Sequence, residues 1–102
     1  MIGDLDPTIH NRVRLGILTL LLKNGRMDFG SLRDTLEITD GNLASHLRTL
    51  EREGLVRYEK TFIGRRPRTY YTLTPEGRRR LRRYLKALRS LLEEIEGEDP
   101  KL

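Results

Sequence analysis

The sequence predicts a mainly α-helical fold carrying one β-hairpin, and three observations predict it. A capped amphipathic stretch, Thr39 to Glu53, stops at Gly54. Two segments rich in β-branched and aromatic residues, Leu55 to Phe62 and Thr69 to Leu73, flank the run Gly64-Arg65-Arg66-Pro67-Arg68. Thr74-Pro75-Glu76 then supplies an N-cap, a proline at the first helical position and an early acid, which together open a further helix.

Earlier in the chain, Asp6-Pro7 reads as an N-cap and first-turn proline, so a first helix is expected from there to about Lys23. Ile9, Val13, Ile17, Leu20 and Leu21 recur at helical spacing and face the core. Leu18 and Leu22 widen that face, and Asn24-Gly25 ends the helix. Met27-Asp28-Phe29 reads as a short strand or a linker. Ser31 to Leu36 fits a short helix with Leu32 and Leu36 inward, and Glu37 to Thr39 is a tight interhelical turn. Thr39 caps the next helix, and Asp40 favours its dipole. Leu43, Leu47 and Leu50 form its inward stripe, with Ala44 beside them, and Gly54 gives a left-handed stop. In the hairpin, Val56, Tyr58 and Phe62 alternate on one face and Tyr71 and Leu73 answer them. The last helix is expected to reach about Ile95, with the acidic tail Glu93 to Asp99 frayed. Two helices about a tight turn, a basic hairpin and a long helix make a winged helix-turn-helix, a shape that reads duplex DNA, with residues 1–102 as a single domain.

Composition narrows the function classes. A content of 36% hydrophobic and 34% charged residues suits a solvated globular protein, and the longest apolar-rich stretch, Leu15 to Leu22, is far too short to span a bilayer. No secretory leader pattern opens the chain, so a cytoplasmic protein with no membrane partner is expected. Without cysteine there is no disulfide framework, thiolate metal site or thiol nucleophile. There is no glycine-rich phosphate loop or metal-ligand spacing, and His10 and His46 lie on different elements. The expectation is therefore no enzyme, no cofactor and no metal site.

Charge points the other way, toward a polyanion. The net charge is +5 with a pI near 10.0. From Arg57 to Arg89, twelve Lys/Arg stand against Glu59 and Glu76, a local net of +10, so the remainder is −5. Arginine outnumbers lysine sixteen to four, which favours phosphate and base-edge geometry. With the leucine stripe inward, the helix at about 39–53 turns Gly41, Asn42, Ser45, Arg48, Thr49 and Arg52 outward and His46 to one flank. Thr39 stands at its start. Asn suits adenine, Arg suits guanine, and Ser or Thr suits either. The wing at about 62–69 adds Arg65, Arg66 and Arg68 for the minor groove or phosphates, with Pro67 stiffening the turn.

A second pattern marks the terminal helix at about 75–96. Leu81, Tyr84, Leu88, Leu91 and Ile95 recur at spacings of four and three, broadened by Leu85 and Leu92. Such a stripe is expected to pair with a second copy of the chain. Arg78, Arg79, Arg80, Arg82 and Arg83 surround the first turns of that helix, where they flank the apolar seam and pair with acids or reach phosphates. The rival reading is a winged-helix adaptor that docks on a larger protein assembly. In its favour, Met27 to Gly54 holds three arginines against six acids, a net of −3.

The run Leu73-Thr74-Pro75-Glu76-Gly77 after a basic hairpin, with Thr39-Asp40-Gly41-Asn42-Leu43, His46-Leu47, Leu50-Glu51 and Gly54-Leu55-Val56, resembles winged-helix regulators of the MarR and ArsR type. The likeness is closest to small single-domain MarR-like regulators and covers roughly Val13 to Leu92. It implies a homodimer on a pseudo-palindromic operator. Carried over by position, Asn42, Ser45, His46 and Thr49 approach bases or phosphates, and Arg65, Arg66 and Arg68 form the wing site. The cysteines that ArsR metal sensors often use are absent, and no small-molecule effector is named by any residue set.

Overall fold

Capping side chains decide where the helices of this protein begin. The computed structural model describes residues 2–98, in the order of a 3₁₀ turn at Ile2–Asp4, α1 (Arg12–Asn24), β1 (Arg26–Asp28), α2 (Phe29–Leu36), α3 (Asp40–Arg52), β2 (Val56–Ile63), β3 (Arg66–Leu73) and α4 (Pro75–Glu98). The first helix starts at Arg12 rather than at Pro7. Asn11 is its cap, accepting from the backbone N–H groups of Val13 and Arg14 at 3.0 Å each. Asp6 instead closes a separate turn, its carbonyl accepting from Ile9 and His10 and its carboxylate from Thr8. Both residues have capping chemistry, and only the nearer one leads directly into the apolar run.

The short helix also starts earlier than expected. Asp28 caps it at Phe29, accepting from the Ser31 hydroxyl at 2.6 Å and from the Ser31 N–H at 3.3 Å. Residues 26–28 form a strand. Glu37 ends α2 in the left-handed region, with φ of 55°. Thr39 caps α3 by accepting from the Asn42 N–H at 3.1 Å, and α3 ends near Gly54, whose φ is 72°.

The three strands form one antiparallel sheet in the order β1-β3-β2. β2 and β3 pair without interruption from Val56 opposite Leu73 to Ile63 opposite Arg66. The turn is therefore only Gly64-Arg65, and Arg66, Pro67 and Arg68 belong to β3 rather than to a five-residue loop. Gly64 takes a φ of 65°, which a two-residue hairpin turn requires and which leaves the ladder free to extend. Pro67, one pair beyond the closing pair, falls where antiparallel alternation aims its nitrogen away from β2, so no ladder donor is lost.

The core joins Ile9, Val13, Ile17, Leu18 and Leu21 to Leu32, the α3 stripe of Leu43, Leu47 and Leu50, and Leu55, Val56, Tyr71 and Leu73 of the sheet. Leu81 and Tyr84 of α4 complete it, at 0% and 2% exposure. This corrects the expectation that the whole α4 stripe faces a second copy. Its first two members are consumed by this chain's own core, because the start of α4 lies directly on the corner between α3 and β2. Leu85 and Leu88 are half-buried against the same core, whereas Leu92 and Ile95 stand exposed. The helix continues to Glu98 instead of fraying from Glu93, and Asp99 lies outside the described residues.

That corner is tightly packed. The Thr74 N–H donates to the Leu55 carbonyl at 3.0 Å, and the Thr74 hydroxyl donates to the Gly54 carbonyl at 2.5 Å. The same hydroxyl accepts from the Gly77 N–H at 2.9 Å, capping α4. A Cβ at Gly77 would overlap the Leu55 carbonyl oxygen and lie 2.8 Å from the carbonyl carbon, atoms held by the backbone itself. Replacement of Gly77 by Ala is expected to destabilise the fold by about 3 kcal/mol, measured by urea unfolding, because neither helix nor corner can move independently. A loss below about 0.5 kcal/mol would show that the corner yields.

Candidate nucleic-acid interface

α3 presents its polar face as its leucine stripe dictates. Thr39, Gly41, Asn42, Ser45, Arg48 and Arg52 are exposed, while Leu43, Leu47 and Leu50 are buried beneath them. Thr39 is committed to capping through its hydroxyl. The side chains of Asn42, Ser45 and Arg48 have no protein partner among the described residues. Thr49 is half-buried; its hydroxyl donates to the Ser45 carbonyl and accepts from Arg52 Nη2, each at 3.3 Å. His46 is drawn inward, half-buried, with Nδ1 3.1 Å from Arg14 Nη1. Burial and then the Arg14 charge push its pKa below the ordinary value, so a neutral imidazole accepts from the guanidinium. His46 thus belongs partly to the seam between α1 and α3. Arg14 itself carried no sequence signal, because contact across two helices leaves no local pattern.

The acidity of this region is largely engaged. Arg33 of α2 bonds Asp34 at 2.8 Å and Asp40 at 3.0 Å, which quenches the acid nearest the start of α3. Asp28 is held as a carboxylate, chiefly by the Ser31 hydrogen bond and also by the charge of Arg68. Glu53, at the end of α3, accepts from the Thr8 hydroxyl at 2.6 Å and from Arg80 at 3.1 Å. Exposed pairs of this kind add little stability; the hydroxyl bonds keep Asp28 and Glu53 charged, while Arg33 and Arg80 offset part of the negative charge beside α3.

Arg80 is the structural member of the α4 arginine run. Its guanidinium grips Asp6 through two hydrogen bonds, at 2.8 and 3.0 Å, and reaches Glu53 as well. Its own side chain is 20% exposed. The Arg80 hydrogen bonds are the main cause holding the Asp6 carboxyl below the usual range, and the Thr8 hydroxyl is first for Glu53. This network ties the amino-terminal turn, the end of α3 and the start of α4 together. Arg79 and Arg83 pair with Glu76 at 2.8 and 3.6 Å. Arg78 and Arg82 have no such partner among the described residues.

Register divides the wing cations between two faces. Antiparallel pairing puts Val56, Tyr58, Lys60 and Phe62 on the core-side face with Leu73, Tyr71, Thr69 and Pro67. The other face carries Arg57, Arg66 and Arg68, together with Arg26 of β1, whose guanidinium lies 4.0 Å from the centre of the Tyr70 ring. Arg65 occupies the turn between them. All three wing arginines are exposed. Arg57 and Lys60 belong to the basic block that the sequence shows, whereas Arg26 joins this surface only through the pairing of β1 with β3, which leaves no local signal.

At the opposite end, Leu5, Pro7 and His10 face Leu88 and Leu91 across an open apolar groove of about 490 Å³. His10 Nδ1 lies 2.6 Å from the Tyr84 hydroxyl at its edge. Among the described residues no group of three or more His, Cys, Asp or Glu is placed to hold a metal ion. No helix is long and apolar enough to cross a membrane.

Comparison with known proteins agrees with this geometry. A family described as winged helix DNA-binding domain matches residues 13–92. An uncharacterized protein of Methanocaldococcus jannaschii is 37% identical over 84 residues, covering 82% of this chain and 91% of its own. A transcriptional regulator homologue from Pyrococcus horikoshii OT3 superposes with a TM-score of 0.81 at 39% identity, covering 86% of this chain and 87% of that one. A MarR-family transcriptional regulator from Enterococcus faecalis V583 gives a TM-score of 0.76 at 32% identity, covering 99% and 90%. The chain therefore belongs to the winged helix DNA-binding domain family, among transcriptional regulators of the MarR type.

Proposed function

We propose that this protein is a single-domain, homodimeric regulator that occupies operator DNA, with α3 in the major groove and the hairpin at the minor groove or flanking phosphates. One observation carries the reading: Asn42, Ser45 and Arg48 are exposed and unpartnered among the described residues, beside a cationic hairpin projecting from the same corner. Base-edge chemistry without internal partners costs little to bring against DNA, because no protein hydrogen bond must first be broken. Affinity comes from arginine and lysine contacts to phosphate, and sequence preference from the Asn42–Arg52 face. On this reading the protein works by binding alone, without catalysis, cofactor or metal.

The dimer is supported by the distal half of α4. Leu92 is 49% exposed and Ile95 38%, and Leu91 continues the same stripe from the groove beside Leu5 and Pro7. Two copies joined there would set their reading helices about 34 Å apart, one turn of duplex, matching a pseudo-palindromic site.

Binding of random duplex across a salt series tests the function. Affinity is expected to fall steeply with salt, and substitution of Arg65, Arg66 and Arg68 together by Ala should flatten the slope of log K against log salt by about 2 to 3. Asn42→Ala should change the preferred sequence while leaving that slope intact. An unchanged slope in the triple variant contradicts the wing assignment, and no binding at low salt favours docking on a protein assembly instead. Sedimentation tests the dimer: the wild type should sediment as a dimer at micromolar concentration and the Leu92→Glu/Ile95→Glu variant as a monomer. A monomeric wild type would refute it.

A further inference from the structure

The arginines are not the only unusual feature of the wing tip. Phe62 is 67% exposed and Ile63 53%, and the exposed Pro67 lies directly opposite Phe62 in the hairpin register. Exposed apolar residues scattered singly need no explanation, but Phe62 and Pro67 share one face at the end of a projecting ribbon, with Ile63 next to them on the other face. Among the described residues none covers them. Further down the same face Tyr71 is 8% exposed, and Tyr58, 6.2 Å from it ring centre to ring centre, is 52% exposed, so exposure rises along the ribbon to Phe62 at its tip.

What surrounds the apolar tip identifies what it meets. Between Arg57 and Arg68 there are five Lys/Arg against Glu59 alone, a net of +4 on twelve residues. Lys60 lies two pairs behind Phe62 and Pro67 on their face, Arg66 is paired with Ile63 on the other, and Arg65 sits at the apex. An apolar protein surface would have to desolvate this cationic rim without compensation. Duplex DNA offers the opposite arrangement, with rows of phosphate outside and apolar sugar edges and stacked base faces inside the minor groove. The rim matches the first and the tip matches the second.

We propose that Phe62, backed by Pro67 and flanked by Ile63, is an apolar wedge that enters the minor groove, partly unstacks one base step and bends the duplex toward the major groove. The inference rests on the DNA-binding reading above. Apolar wedges of this type compensate the cost of unstacking by letting the bent duplex wrap more of the protein. Pyrimidine–purine steps are the easiest to open, so the wedge would add a preference for TA or CA at a position that no side chain reads by hydrogen bonding. The flanking cations then hold the phosphates on either side of the opened step.

The test uses the full chain and a duplex carrying 2-aminopurine at successive steps of the wing-contacted segment, with end-labelled DNA reporting the bend. Wild-type protein is expected to raise 2-aminopurine fluorescence at one step and to shorten the end-to-end distance. Phe62→Ala should abolish both and weaken binding by about ten-fold, with the salt slope unchanged. Phe62→Leu, which keeps an apolar side chain at the same exposed site, should retain part of the bend and controls for folding. Wild-type binding without any fluorescence rise or bend overturns the wedge while leaving the DNA-binding reading intact. A Phe62→Ala variant that keeps the bend overturns it as well. Failure of the wild type to bind duplex at low salt, with binding instead to vesicles containing phosphatidylserine, overturns both.

Discussion

Between Gly77 and the carbonyl of Leu55 there is no room for a methyl group, and the functional architecture radiates from that contact. Thr74 donates to the Gly54 and Leu55 carbonyls while accepting from Gly77, so one short segment closes α3, starts β2 and caps α4 at once. α3, the hairpin and α4 therefore leave a common corner. The network of Arg80 with Asp6 and Glu53 reinforces it from the other side. On the proposed reading, a junction held this way lets α3 and the hairpin meet DNA together without a further entropy loss for loop ordering. Leu81 and Tyr84, buried just beyond the corner, extend the rigidity one turn into α4.

Much of this was legible in the residues. Periodicity located the buried faces of α1 and α3, and Thr39, Gly54 and Thr74-Pro75 marked boundaries that the structure retains within a residue. Those signals are local, each resting on side-chain chemistry within a turn or two. The misplacements share a different cause. Asp6 and Asn11 both cap, Asp6 closing a separate turn that Arg80 also holds and Asn11 opening the helix that carries the apolar run. Arginine and proline in the run 64–68 suggest an irregular loop, whereas a two-residue turn at Gly64 lets the ladder absorb Arg66, Pro67 and Arg68. Leu81 and Tyr84 have the spacing of an interface stripe, and periodicity alone does not tell which apolar partner a stripe meets.

The candidate site shows the same division. Exposure of Asn42, Ser45, Arg48 and Arg52 follows from the leucine stripe alone, and the structure places them where the helical rotation implies. His46 departs from that face because Arg14 reaches it from α1. The net of −3 over Met27 to Gly54, which argued for a protein partner, already counts Arg33, so its pairs with Asp34 and Asp40 leave that excess unchanged, and only Arg80 on Glu53 adds a positive charge from outside the segment. Pairing between elements redistributes charge in ways that a count along the chain does not register. The hairpin carries exposed cations on both faces, converging on an apolar tip.

A single titration addresses the central claim, that α3 and the hairpin together form the DNA-facing surface. Backbone amide chemical shifts of isotope-labelled protein, followed as duplex is added at low salt, report every element at once. The account predicts that the largest changes fall at Thr39 to Arg52 and Lys60 to Arg68, with the apolar groove of Leu5, Pro7, Leu88 and Leu91 nearly unaffected. Changes confined to that groove and to the distal half of α4, with α3 and the hairpin silent, would contradict it.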